Sequence, residues 1–234
     1  MYKNFIDEAE TFQVNDELSI EIVEVGPNKR PLGIIDNFYK NPLLVRELAL
    51  SIPPTSNERI LTRLPAGPDS GRINAFYILD HLGPVYDKII KTTFPNFYSH
   101  YETDAILRVF RDATFMVNVM TSNNLPPRPP HIDHPNPMAL ASSIYLNLPD
   151  ECTGGTAFYT FNGVDTGVEY GLHKGSDEID RYVADSAGDW KLEHIAEMKF
   201  NRMIIYPAAM YHAAYIKPGM FDNGIYRLNQ QFFI

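Results

Sequence analysis

The chain has 234 residues, of which 44% are hydrophobic and 21% charged, so one large domain can bury a full core without disulfide or metal staples. The 20 basic residues stand against 29 acidic ones, a net charge of −9 that argues against general attraction to phosphate backbones, and no nucleic-acid partner is expected. A single cysteine, Cys152, excludes a disulfide framework and a cysteine cluster for structural zinc or iron–sulfur.

The opening MYKNFIDEAE lacks the basic start and apolar run of a signal peptide. No stretch reaches the ~18 apolar residues that a membrane-spanning helix needs, so no membrane partner is expected and a cytoplasmic, reducing compartment is the default. Within 17–38, ELSIEIVEV and LGIIDNF read as two strands divided by a turn at GPNKRP. Asn41-Pro42 reads as a cap followed by a first-turn proline, opening a helix through NPLLVRELALSI that stops before Pro53-Pro54. Residues 53–74, rich in Pro, Gly, Ser and Arg, read as a long loop. A second helix is predicted at 79–93, where Leu79, Leu82, Val85, Tyr86, Ile89 and Ile90 fall on one face. Residues 1–102 therefore read as an N-terminal α/β support region.

From about 103 onward the texture changes to short apolar strands broken by turn residues: DAILRVF, TFMVNVM, ALASSIYLNL, GTAFYTF, RMIIY, HAAYI and IYRLNQQFFI. Many short strands of this kind predict a mainly β sandwich, barrel or jelly roll over 103–234, with flanking helices, in a single domain. The polar, glycine-dotted stretch 162–189 is long for a loop and is either a lid or an insertion.

HIDHPNPMAL (131–140) brings three metal-ligand types within four residues. In extended backbone residues i and i+2 share a face, so His131 and Asp133 converge while Ile132 and His134 point away. Imidazole plus carboxylate is two thirds of the 2-His-1-carboxylate triad that holds non-haem Fe(II) with open positions. A third ligand must come from elsewhere in the fold. His81, His100 and His173 lie in the support region, the connection after it and the polar insertion, and His194 in WKLEHIAEM suits packing or surface. His212, late in the β-rich half after NRMIIYPAAMY, is the best choice.

The final strand carries Arg227. One reading is an edge-strand arginine paired at the surface; the other is a fork that grips a carboxylate through two parallel hydrogen bonds. Asn229 faces the same way and can add a polar contact.

The order His131-x-Asp133, then His212 79 residues beyond the aspartate, then Arg227 15 residues later resembles the 2-oxoglutarate/Fe(II)-dependent oxygenases. IYLN, GGTAFY and NRMIIYP…H (144–147, 154–159, 201–212) resemble the prolyl-hydroxylase-like branch. IIDNFYKNPLLVRELAL is similar to an uncharacterised bacterial family within it (DUF6445-like). The resemblance covers most of the chain and implies a double-stranded β-helix (a cupin-like jelly roll) with the triad His131, Asp133 and His212 at its mouth. It also implies Fe(II) as metal, 2-oxoglutarate and O2 as co-substrates, and an oxidoreductase, a dioxygenase that hydroxylates a C–H bond with release of succinate and CO2. Arg227 would hold the far carboxylate of 2-oxoglutarate. A carboxylate at Asp133 favours hydroxylation, since related halogenases have a small residue there.

Several relatives carry serine where this chain has Asn229. By position, Asn118 resembles a co-substrate-binding asparagine, and Tyr145 is another candidate; both can equally be buried polar residues satisfied by backbone. Arg128, His134, Asn136 and Tyr159 flank the expected mouth and are possible substrate contacts. The branch implies a small molecule, an amino acid or a peptide side chain as substrate. Oligomeric state is not legible. A cupin-like Zn or Mn isomerase or hydrolase would use the same triad but has no need of Arg227. A non-catalytic jelly-roll binding module with a vestigial triad is the remaining alternative.

Overall fold

The computed structural model describes residues 7–51, 72–73, 76–77, 82–95, 113–118, 130–136, 138–167, 184–221, 225 and 227–233. The strand predicted at DAILRVF, residue Arg128, most of the 53–74 loop and the middle of 162–189 lie outside them.

In chain order the elements are α1 (Glu8–Thr11), β1 (Ile20–Val25), β2 (Arg30–Ile35), α2 (Pro42–Ser51), β3 (Arg72–Ile73), β4 (Phe76–Tyr77) and α3 (Gly83–Thr93). They are followed by β5 (Ala113–Asn118), β6 (Leu140–Tyr145), β7 (Gly155–Phe161), β8 (Trp190–Glu197), β9 (Met203–Pro207), β10 (His212–Tyr215) and β11 (Arg227–Phe233). The molecule is mainly β. Eight strands form one antiparallel sheet in the order β1-β2-β9-β6-β11-β5-β3, with β4 also on β5. Three form a second, β10-β7-β8, and His131 bridges to the free side of β10.

Local chemistry explains the elements. Pro42 opens α2 with its φ already set, and Pro84 does the same for α3. The helix predicted at 79–93 begins at Gly83, with Leu82 as its cap and Tyr86, Ile89 and Ile90 on its buried face. The predicted hairpin forms as β1 and β2, antiparallel, and β2 joins β9. The N-terminal region thus extends the sheet of the C-terminal half.

Two features depart from the sequence reading. Arg72–Ile73, inside the predicted loop 53–74, is a strand on β5. β8 is absent from the predicted strands because Lys, Leu, Glu and Ala in WKLEHIAE favour helix. Its alternation is also blurred by a bulge opposite Phe158 and Tyr159.

The large sheet has two unlike faces. On one, Leu140, Ile144, Met203, Ile205, Leu228 and Phe232 pack against Tyr86, Ile89 and Ile90 of α3 and Val45 and Ala49 of α2. On the other, Ala141, Tyr145, Ile204 and Tyr206 meet Phe158 and Ala196 of the small sheet. The site lies between the sheets.

The pair Gly154-Gly155 makes that approach possible. Gly154 has φ 68°, and a Cβ there would lie 2.1 Å from the Tyr215 carbonyl. At Gly155 it would lie 2.1 Å from the Ala196 carbonyl, so β7 can enter between β10 and β8 only without side chains at its start.

Candidate metal centre

His131 and His212 form a two-residue antiparallel bridge in which each N–H donates to the other's carbonyl at 2.9 Å. Residues opposed in this way present their side chains on one face, and the two imidazoles stand 4.6 Å apart. The Asp133 N–H donates to the Ala208 carbonyl at 2.9 Å, which anchors the turn into the same bend that precedes His212. The Asp133 carboxylate then reaches both rings: Oδ2 lies 3.1 Å from His212 Nε2 and Oδ1 3.7 Å from His131 Nε2. The ligand atoms of all three lie within 4.8 Å of one another. Ligands on adjacent positions around an ion, each at ~2.1 Å, sit roughly 3 Å apart, so the donor set fits a small transition-metal ion.

The His212 ring is fixed by its support. Nδ1 lies 2.9 Å from the Met210 carbonyl, which can only accept, so Nδ1 carries the hydrogen and Nε2 is the ligand atom. Burial pushes the His212 pKa down, but the Asp133 charge and its hydrogen bond, helped by the Met210 carbonyl, more than offset this and leave it raised. The triad is graded in exposure. The His212 side chain is 7% exposed, Asp133 19% and His131 40%, so one side of the cluster faces outward.

Arg227 lies deeper between the sheets, 3% exposed, opposite Asn118 in the β5–β11 register. Its Nη1 donates to Asn229 Oδ1 at 3.2 Å and its Nη2 to the Gly155 carbonyl at 3.3 Å. The guanidinium sits 5.8 Å from the centre of the Tyr145 ring. Its Nε has no hydrogen-bond partner, and no carboxylate pairs with it among the described residues. A buried cation without a counter-charge costs free energy and is rarely retained for stability. The surface-paired reading of this arginine is therefore excluded.

Its surroundings are polar and ordered. Tyr145 is fully buried, and its hydroxyl lies 2.7 Å from Thr156 Oγ1. Burial raises the Tyr145 pKa, partly offset by the Arg227 charge. Asn229 Nδ2 donates to Ser143 Oγ at 3.3 Å. The Arg227 charge opposes part of the rise in the His212 pKa, which stays raised overall.

Not every residue chosen from the sequence gathers here. His134 is exposed, with the Asn136 N–H donating to its Nδ1 at 3.0 Å, and Asn136 is exposed beside it. Tyr159 is the clear correction. It packs with Ile132, Trp190 and Tyr211 on the opposite face of the small sheet, and its hydroxyl donates to the Ala184 carbonyl at 3.0 Å. Its neighbour Phe158, in register with His212, holds the inward position. His194 is half-buried on β8, in register with Phe158, and is not part of the cluster.

One residue the sequence reading passed over stands inside the site. Tyr206, on β9, sets its ring edge-on to His212 at 5.0 Å. The only sequence signal was a tyrosine in a strand of aliphatic residues just before the ligand.

Residues 81–223 match the family described as "Family of unknown function (DUF6445)", a span that includes His131, Asp133 and His212 and ends before Arg227. No curated protein matches the chain. The family match spans more than half of the sequence and holds the whole ligand cluster, so the protein belongs to DUF6445.

Proposed function

We propose that this protein is a non-haem Fe(II)/2-oxoglutarate-dependent oxygenase that hydroxylates a C–H bond of a small molecule, an amino acid or a peptide side chain. The observation that carries the reading is Arg227, a buried cation with no carboxylate partner among the described residues, in the same interior as a converging 2-His-1-carboxylate set. A dicarboxylate that reaches from a metal to a guanidinium satisfies both at once.

The strand order supports a double-stranded β-helix. β5-β11-β6-β9 in the large sheet faces the 131 bridge, β10, β7 and β8 in the small one. Each sheet contributes one end of the site, ligands from the small sheet and the cation from the large.

Fe(II) held by His131, Asp133 and His212 would supply the redox chemistry that couples oxidative decarboxylation of 2-oxoglutarate, with O2, to hydroxylation, giving succinate and CO2. The chain's own residues bind and orient. Arg227 holds the far carboxylate, with Asn229 and Tyr145 setting its guanidinium. Met210 keeps the His212 Nε2 lone pair directed at the ion. The more exposed side of His131 and Asp133 is where substrate enters. A zinc or manganese isomerase or hydrolase leaves Arg227 unexplained.

The test is anaerobic addition of Fe(II) and then 2-oxoglutarate to the purified protein. A weak visible charge-transfer band should appear, and should be missing in His212→Ala. Succinate release then guides the search for substrate. A metal-loaded protein with neither the band nor 2-oxoglutarate binding would overturn the reading, and its zinc content would be measured next.

A further inference from the structure

We propose that the Tyr206 hydroxyl donates a hydrogen bond to the metal-proximal, 2-oxo acid end of the co-substrate, an assignment that rests on the oxygenase reading above. Tyr206 lies opposite Ala141 in the β9–β6 register, on the inward face of the large sheet. Its ring meets His212 edge-on at 5.0 Å and Phe158 edge-on at 4.9 Å. The residue is 3% exposed, yet its hydroxyl has no hydrogen-bond partner among the described residues.

Three other buried tyrosines differ. Tyr39 donates to Gln230 Oε1 at 2.7 Å, Tyr145 lies 2.7 Å from Thr156 Oγ1, and Tyr159 donates to the Ala184 carbonyl at 3.0 Å. A tyrosine hydroxyl that no protein group satisfies is available to a ligand or to water. Packing does not require the oxygen at 206, since phenylalanine would make both ring contacts. Its ring lies against His212 on the inward face of the large sheet, and the charges of Asp133 and Arg227 both act on its hydroxyl.

A tyrosine near neutral pH carries its proton, so this position offers a donor to a ligand oxygen. Contact with the His212 ring places it at the metal end, and Arg227 takes the other carboxylate. The co-substrate is then held at three separate points: metal, phenol and guanidinium.

Tyr206→Phe removes one oxygen and keeps the ring. Anaerobic calorimetric titration of Fe(II)-loaded protein would use 2-oxoglutarate and pyruvate, which keeps the 2-oxo acid and lacks the far carboxylate. Tyr206→Phe should weaken both by about tenfold or more with Fe(II) affinity unchanged, whereas Arg227→Met should weaken 2-oxoglutarate alone. Unchanged affinity for both ligands in Tyr206→Phe overturns the assignment and leaves the oxygenase reading standing. Failure of the unaltered protein to bind 2-oxoglutarate overturns both. Should the phenylalanine variant misfold, 3-fluorotyrosine at 206 keeps the donor. Its fluorine resonance in Zn(II)-loaded protein should shift with either ligand, and an unmoved resonance counts against the assignment.

Discussion

Strand β11 puts Leu228 and Phe232 on one face and Arg227 and Asn229 on the other, and the two faces obey different rules. Beneath the helices, Leu228 and Phe232 join a core of Leu, Ile, Val and aromatic side chains that excludes water and stabilises the fold. Facing the small sheet, Arg227 keeps a charge in a place where charge is unfavourable, with one nitrogen lacking a partner among the described residues. The same backbone, with the same ladder, carries both. The helix-side face is mostly apolar packing; the inward face holds a charge that the described residues satisfy only in part.

The largest expected effect lies at the triad. Asp133→Ala removes the carboxylate that both histidines face and should lower metal affinity at least ~100-fold in an equilibrium titration, comparable to losing a ligand or its essential support. The folded baseline in circular dichroism should be kept. Retained affinity would mean that the cluster is not the metal site.

On the opposite face, Phe232→Ala empties a position that is 2% exposed and in ring contact with Tyr86 at 5.2 Å. It should cost about 3–5 kcal/mol in urea unfolding and leave metal affinity per folded molecule unchanged.

Arg227→Met sharpens the contrast because it should move function and stability in opposite directions. Loss of the guanidinium should weaken 2-oxoglutarate by roughly 10- to 100-fold. Removing an unpaired buried charge should leave the apo-protein as stable or about 1 kcal/mol more so. A marked loss of stability would show that the arginine is structural.

The pH dependence is smaller and has a defined sign. The folded pKa of His212 is raised above its ordinary 6.5, so its charged form favours the apo fold below that value and this contribution is lost as pH rises through the folded pKa. Metal needs the neutral ring. Metal affinity should therefore fall as pH drops through that raised pKa, by up to about tenfold per unit for this one proton. Affinity flat between pH 8 and 6 would contradict it. The smallest effect is expected at His194→Ala, which should retain metal; its loss there would undo the choice of His212.

Much of this was legible from local pattern. Short apolar runs between turn residues in GTAFYTF, RMIIY and IYRLNQQFFI marked strands, and Pro42 marked a helix start because proline presets φ. β8 was missed where helix-forming residues occupy a strand whose identity comes from its partner β7.

The site divides in the same way. His131 and Asp133 could be paired from spacing alone, since residues two apart on an extended segment share a face whatever the fold does. His212 was reached by elimination, and only the bridge across β10 brings its ring beside His131. Alternation also required that Phe158 and Tyr159 point oppositely, but which of them looks inward depends on how the small sheet faces the large one, and there the sequence choice of Tyr159 failed. The partner of a polar group is likewise invisible in sequence. That Arg227 is a buried cation with no carboxylate partner among the described residues, and that the Tyr206 ring lies against His212, are facts about neighbours far away along the chain, and only packing of the two sheets decides them.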